Sequence, residues 1–217
     1  RTSPTLEFVN AFGTINGKPI TEDVRSTTNP TGYDSANPYA NRDPRLNFSV
    51  FYNGSPWLNS TVETFDGGRS KPLGTIQQTQ TSFYLKKFMG AFENSTDYSA
   101  TGHNWIYFRY AEVYLNLAEA LNEYLDQPSS AVYNALIETR RRAGIQRGTG
   151  VYGYGLADNL TKDEMRKVIH NERRIELSFE EHRFYDVRRW LTAQELLSQP
   201  LHGYRILRSN AGVLTTQ

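Results

Sequence analysis

From Asn104 onward the apolar positions fall into a helical rhythm. Phe108, Ala111, Leu115, Ala118, Leu121 and Leu125 recur at intervals of three and four, which places them on one helix face. Pro128, Ser129 and Ser130 mark the next start, because the fixed φ of proline suits a first helical turn. Val132, Ala135, Leu136 and Thr139 carry a second helix forward, and Gly144 suits its C-terminal cap. Thr161 with Glu164 three residues on forms a capping box. It opens a third helix, expected to run to about Trp190. Upstream of residue 104 the rhythm is lost. Gly, Pro, Asn, Ser and Thr punctuate the chain densely, as in Asn29-Pro30-Thr31-Gly32 and Asp66-Gly67-Gly68. A short amphipathic helix is expected around Thr5 to Phe12. Alternation over Leu46 to Phe51 predicts a strand, and Ser82 to Phe88 a second strand or extended segment. After Pro200 come short turns and a strand at Tyr204-Arg205-Ile206-Leu207.

The first two helices read as an antiparallel hairpin with small residues Ala111, Ala118 and Ala135 along its seam. Such a hairpin is similar to one tetratricopeptide unit. One unit cannot bury both of its faces, so other helices must cover it.

Composition narrows the classes of function. The chain has 217 residues, a formal net charge of +1 and no cysteine. A near-zero charge offers no broad electrostatic footprint for nucleic acid or an anionic membrane surface. Without cysteine there is no disulfide and no thiolate metal site. No apolar run approaches the ~20 residues of a membrane-spanning helix. The four histidines, His103, His170, His182 and His202, are scattered and form no zinc or di-iron motif. Gly148-Thr149-Gly150-Val151-Tyr152-Gly153 matches Gly-x-Gly-x-x-Gly in form. A helix rather than a strand precedes it, so it reads as a connector and not a dinucleotide fingerprint. Neither a metal nor another cofactor is expected. Arg140-Arg141-Arg142 with Arg147 reads as a solvated or ion-paired helix end rather than a nucleic-acid patch.

The third helix is dense in charge. Glu172, Arg173, Glu176, Glu180, Arg183, Asp186 and Arg189 stand at three- and four-residue spacings, where neighbours pair. Ile175, Leu177, Phe179, Phe184, Tyr185, Val187 and Trp190 leave no face purely polar. The expectation is a buried helix held by a structural ion-pair network. The competing reading makes Glu172 and Glu176 the two carboxyls of a glycoside hydrolase. Two Glu one turn apart meet the required separation on nearly any helix, so no catalytic residue is assigned. Aromatic residues supply 13% of the chain, with 14 tyrosines, and a tyrosine ring offers both an apolar face and a polar tip. Loop aromatics flanked by polar residues are therefore candidate ligand contacts. Tyr52 and Trp57 flank a polar loop with Asn53, and Tyr33 and Tyr39 occupy another.

Several segments follow one another in order: Pro4 to Phe12, Asn16 to Ile20, Asn37-Pro38-Tyr39-Ala40-Asn41-Arg42-Asp43-Pro44-Arg45-Leu46, Phe51 to Gly54, Tyr84 to Phe88, Phe108 to Glu123, Arg140 to Gly144 and the charged helix from Asn171 to Trp190. Together they resemble the SusD/RagB family of outer-membrane glycan-capturing lipoproteins. The resemblance implies a mainly α fold with tetratricopeptide-like α-α superhelix elements, plus a loop-rich region with a few short strands. Residues 1–104 would carry the glycan-binding loops and residues 105–217 the helical C-terminal region, both belonging to one domain of a longer parent. It implies a non-catalytic protein at the bacterial cell surface that passes oligosaccharide to a SusC-like TonB-dependent transporter. The parent would be tethered to the outer membrane by a lipid anchor on a segment this chain lacks. Trp57, Tyr52, Asn53, Tyr33 and Tyr39 are the candidate glycan contacts. A tetratricopeptide-like protein-interaction scaffold and, further off, a glycoside hydrolase are the alternatives.

Overall fold

Local signals fix where each element starts, and long-range contacts fix where it stops. The computed structural model describes residues 2–21, 33–74, 78–90, 102 and 104–217. The Asn29–Gly32 turn and His103 lie outside the described residues. In chain order the elements are α1 (Leu6–Ala11), α2 (Pro44–Ser49), β1 (Val50–Phe51), β2 (Pro56–Trp57), β3 (Ser60–Thr61), β4 (Tyr84–Leu85), α3 (Tyr110–Tyr124), α4 (Ser130–Arg142), α5 (Lys162–Glu176), α6 (His182–Arg189), α7 (Ala193–Leu197), β5 (Ile206–Arg208) and β6 (Leu214–Thr216). Their contacts divide the chain into two units. A helical unit comprises Asn10–Leu46 and Ile106–Leu197, and a loop-rich unit comprises Arg1–Val9, Asn47–Trp105 and Ser198–Gln217.

In the helical unit α3 packs against both α4 and α5. Leu115 and Ala118 of α3, Val132 and Leu136 of α4, and Met165 and Ile169 of α5 form one buried cluster. Removing their apolar surface from water stabilises the fold by roughly 1.5–3 kcal/mol for each large side chain. Gly144, at φ 85°, follows α4 in the left-handed position. Its N–H donates to the Arg141 carbonyl and the Ile145 N–H to the Arg140 carbonyl, the Schellman arrangement. At α5 the Thr161 side chain accepts from the Glu164 N–H while the Glu164 carboxylate accepts from the Thr161 N–H. The predicted first helix begins later than the rhythm implies. Phe108 lies before Tyr110 and is exposed.

Two expectations are corrected. Leu46 to Phe51 is not one strand, because α2 occupies Pro44–Ser49 and only Val50–Phe51 is extended. The cause is local. Asp43 accepts from the Arg45 N–H at 2.9 Å through its side chain and from the Leu46 N–H at 3.0 Å through its carbonyl. Pro44 stands at the first helical turn, where it fits. The charged helix likewise does not run unbroken to Trp190. It ends at Glu176, and α6 begins at His182. Between them Phe179 and Glu181 adopt φ of 61° and 67°. In one straight helix Asp186 would stand about 20 Å along the axis from Arg173. The break folds it back to within 3.2 Å of Arg173.

The loop-rich unit is built from three antiparallel two-stranded pairs, β1 with β4, β2 with β3 and β5 with β6. Val50 faces Leu85 and Phe51 faces Tyr84 in the first pair. Side chains clasp backbone where strands are too short to satisfy it. Ser82 donates to the Tyr204 carbonyl at 2.7 Å, Thr79 to the Phe83 carbonyl at 2.7 Å and Thr81 to the Pro4 carbonyl at 2.6 Å. Phe83, Val50, Val62 and Ile206 are buried among them.

Candidate functional site

The charged segment of α5 and α6 is the polar core of the helical unit. Glu172 is buried and accepts from Arg45 Nη1 at 2.6 Å and from Arg140 Nε at 2.8 Å. Glu176 accepts from Arg45 Nη1 at 2.9 Å and from Arg109 and Arg142. Glu180 accepts from Arg109 Nε at 2.7 Å. Burial alone would raise the Glu172 carboxyl, but Arg45 and then Arg140 outweigh it and hold it below the usual carboxylate range. At Glu176 burial is outweighed in the same way by Arg45 and Arg109. A general acid for glycoside hydrolysis needs a raised pKa. Two carboxylates saturated by arginines are the reverse of that requirement.

A second cluster spans the helix break. Arg173 donates to Asp186 at 3.2 Å and to Asn116 at 2.6 Å. Arg189 pairs with Asp186 at 2.8 Å and with Glu119, which also accepts from the Trp190 ring N–H at 2.7 Å. Arg183 differs from the other six charged residues. It makes no ion pair among the described residues, and burial lowers its pKa against the weaker pull of Asp186. Of the neighbours three or four apart on the helix, Asp186 and Arg189 pair, and the remaining ion pairs reach residues that the spacing does not address. Arg45, Arg109, Glu119 and Arg140 come from other segments, which spacing within one helix cannot reveal.

The candidate loop of the loop-rich unit turns between β2 and β3, with Trp57 opposite Ser60. Trp57 is half-buried and meets Phe51 edge-to-face at a centroid distance of 4.9 Å. Such a pair adds about 0.5–1.5 kcal/mol beyond area burial and fixes the indole plane. The Lys86 ammonium lies 5.2 Å from the Phe51 centroid, and burial lowers its pKa. The Tyr52 hydroxyl donates to Asn47 Oδ1 at 2.8 Å. Asn53 accepts the Thr64 N–H at 2.8 Å and so clasps the hairpin base. Phe51 and Lys86 were not singled out from the sequence. The pairing of β1 with β4 brings them together, and no short-range signal announces it.

Tyr33 and Tyr39 belong to the helical unit. The Arg42 guanidinium lies 5.6 Å from the Tyr33 ring centroid and donates to the carbonyls of Pro38, Phe12 and Gly13. Tyr39 is half-buried in the same clamped loop. The candidate aromatics therefore fall into two groups in two units. Among the described residues no group of three or more His, Asp or Glu is placed to hold a metal ion, and no helix is long and apolar enough to cross a membrane.

The fold defines a mainly helical protein with tetratricopeptide-like helix packing and a few short strand pairs. The SusD family model matches residues 1–216, and the chain belongs to the SusD family. It is 27% identical to a SusD-like protein of Bacteroides fragilis, with a TM-score of 0.72 over 99% of this chain and 40% of that one. A second B. fragilis structure, described as a SusD-like carbohydrate binding protein, is 26% identical, with a TM-score of 0.68 over 93% of this chain and 37% of that one. SusD-like protein P2 of Formosa agariphila is 37% identical over 110 residues, 51% of this chain and 21% of that protein. The chain thus spans less than half the length of these relatives.

Proposed function

We propose that this chain is part of a non-catalytic glycan-binding protein of the bacterial outer-membrane surface. The observation that carries the reading is family membership over residues 1–216, joined to a solved relative described as carbohydrate binding. The chemistry of Trp57 and its neighbours supports it. An indole braced by Phe51 offers a stacking surface, and the Lys86 ammonium over the Phe51 ring offers a hydrogen-bond donor. In this reading the parent protein is lipid-anchored and hands its oligosaccharide to a SusC-like TonB-dependent transporter.

Affinity electrophoresis of the chain and of a longer parent against a panel of polysaccharides tests the reading. At least one glycan should retard migration, and Trp57→Ala should weaken that retention by about tenfold or more, as loss of an aromatic anchor does, while the melting curve still reports a folded protein. Retention unchanged in Trp57→Ala removes Trp57 from the site. Absence of retention by every polymer removes the glycan-binding role. A second reading, a protein-interaction scaffold, is favoured by one feature. Tyr110, Leu117 and Tyr124 recur every seven residues along α3 and are 67%, 46% and 85% exposed. A helical protein partner bound with no affinity for sugar would favour the scaffold.

A further inference from the structure

A cavity of about 390 Å³ opens in the helical unit, and none of the residues named above as glycan contacts lines it. Its size falls within the range of small-molecule pockets. Ala11, Pro19, Ile145, Leu160, Val168 and Ile175 give it apolar walls. Asp43, Arg45, Arg140 and Glu172 give it a charged floor, and exposed Lys167 stands on its lining.

The hydrogen-bond account of that floor is one-sided. Both Asp43 oxygens accept from Arg45, at 3.0 Å from Nε and 2.7 Å from Nη2. Both Glu172 oxygens are taken by Arg45 and Arg140. Arg140 is 8% exposed, and its bonds run only through Nε, to Glu172, and Nη1, to the carbonyls of Tyr154 at 2.8 Å and Gly17 at 3.3 Å. Its Nη2 group has no partner among the described residues. Lys167 makes no ion pair or hydrogen bond among them either. It feels the field of Glu164, whose carboxylate is committed to Thr161. The carboxylate acceptors of the cavity are therefore used, the amide oxygens of Asn10 and Asn171 carry no charge, and cationic donors remain. The lining carries three cations, Arg45, Arg140 and Lys167, against two carboxylates, Asp43 and Glu172. The Nη2 group is not sealed from solvent, so an entering acceptor can reach it.

The carbonyls that aim Arg140 are themselves fixed. Gly17 has φ 76°, and a Cβ there would stand 2.2 Å from the Tyr154 oxygen. A Cβ on Gly155 would stand 2.3 Å from the Gly17 carbonyl carbon. Only glycine permits this close approach of two turns. The pocket thus has a rigid donor at its floor rather than a mobile surface arginine.

We propose that this cavity is a second ligand site, for a small carboxylate-bearing molecule of about monosaccharide size. A neutral sugar would leave the excess positive charge of the lining unmatched. A bare inorganic anion would satisfy the donors but leave the apolar walls against water. A carboxylate on a carbon ring or chain meets both conditions. The inference does not rest on the glycan-binding reading, because the cavity shares no residue with the Trp57 loop.

Titration calorimetry of the 217-residue chain with sodium glucuronate tests it, with glucose, acetate and inorganic phosphate as comparators. Glucuronate should bind saturably and about tenfold or more tighter than each comparator, the value of one charge-assisted hydrogen bond or of the lost apolar contact. Lys167→Glu reverses a charge on the lining, and Ala157→Trp fills the cavity from an exposed lining position. Each should weaken glucuronate about tenfold or more with an unchanged far-UV spectrum, and Trp57→Ala should leave its binding intact. A silent titration overturns the site. Equal binding of glucose overturns the anionic ligand, and equal binding of phosphate or acetate overturns the monosaccharide-sized body. Retained affinity in both cavity variants, or loss in Trp57→Ala, overturns the location.

Discussion

Glu176 receives Arg45, Arg109 and Arg142, whereas Arg183 receives no carboxylate among the described residues. The two residues should therefore respond very differently to truncation. Glu176→Ala leaves clustered cations uncompensated and should cost about 3–5 kcal/mol, the usual penalty for breaking a buried pair from one side. Arg183→Ala should stay within about 1 kcal/mol of the parent. Urea unfolding of both variants decides the matter, and equal losses would refute the assignment of stability to the pairs. His170 offers a pH test. Its ring stacks on Trp190 at a centroid distance of 3.4 Å, and burial pushes its pKa from 6.5 down to about 4. Between those values the unfolded chain binds the proton and the folded chain does not. Stability should fall as pH drops from about 6.5 to about 4. His170→Gln should flatten that slope, and an unaltered slope would locate the titration elsewhere. The chain's charge spacing made the clustering of charge legible. It concealed the partners, because Arg45 and Arg140 reach Glu172 from 127 and 32 residues away.

Helix existence was legible wherever apolar periodicity and a cap coincide, as at Thr161 and Gly144. Two elements were misread, each for a different reason. Asp43-Pro44 is a helix start, with a capping side chain followed by the residue best suited to a first turn. Alternation over Leu46 to Phe51 masked it. The interruption between α5 and α6 has no breaker in the sequence, because Leu177 to Glu181 contains neither Gly nor Pro. Tertiary pairing imposes it, through Arg173 with Asp186 and Arg109 with Glu180. Two non-glycine residues then accept left-handed φ, at an intrinsic cost of roughly 1–2 kcal/mol each. Glu181 is exposed, and its side chain makes no hydrogen bond or ion pair among the described residues. Glu181→Gly should thus raise stability, by up to about 1 kcal/mol after the added entropy of the unfolded chain is subtracted. Thermal unfolding gives the sign. A loss would mean that the side chain itself, not the backbone, holds the break.

Each of the two units draws on separated stretches of chain, which a reading along the sequence does not join. The candidate glycan aromatics were chosen from loop composition alone. That method could not see that Trp57 leans on Phe51, nor that Tyr33 and Tyr39 belong to the other unit. Charge burial also differs between the units, and this has a measurable consequence. In the helical unit Glu172, Glu176 and Asp186 are buried among arginines. In the loop-rich unit the described carboxylates Glu7, Glu63 and Asp66 are half-exposed, beside His202, Arg69 and Lys71. Glu172 and Glu176 have pKa values held below the usual 4.5. A depressed carboxylate contributes stability that is fully present above its unfolded value and is lost as pH falls through its folded value. Once protonated, these groups no longer compensate Arg45, Arg109 and Arg140, and buried guanidinium groups face one another. Acidification below about pH 4.5 should therefore remove helical ellipticity at 222 nm in a cooperative step. Glu172→Gln, which imposes the protonated form's charge at neutral pH, should already have lost much of that stability, and its acid transition should be correspondingly shallower. Full helicity retained in acid by the parent chain, or an acid transition unchanged in Glu172→Gln, would place the fold's pH sensitivity outside this lattice.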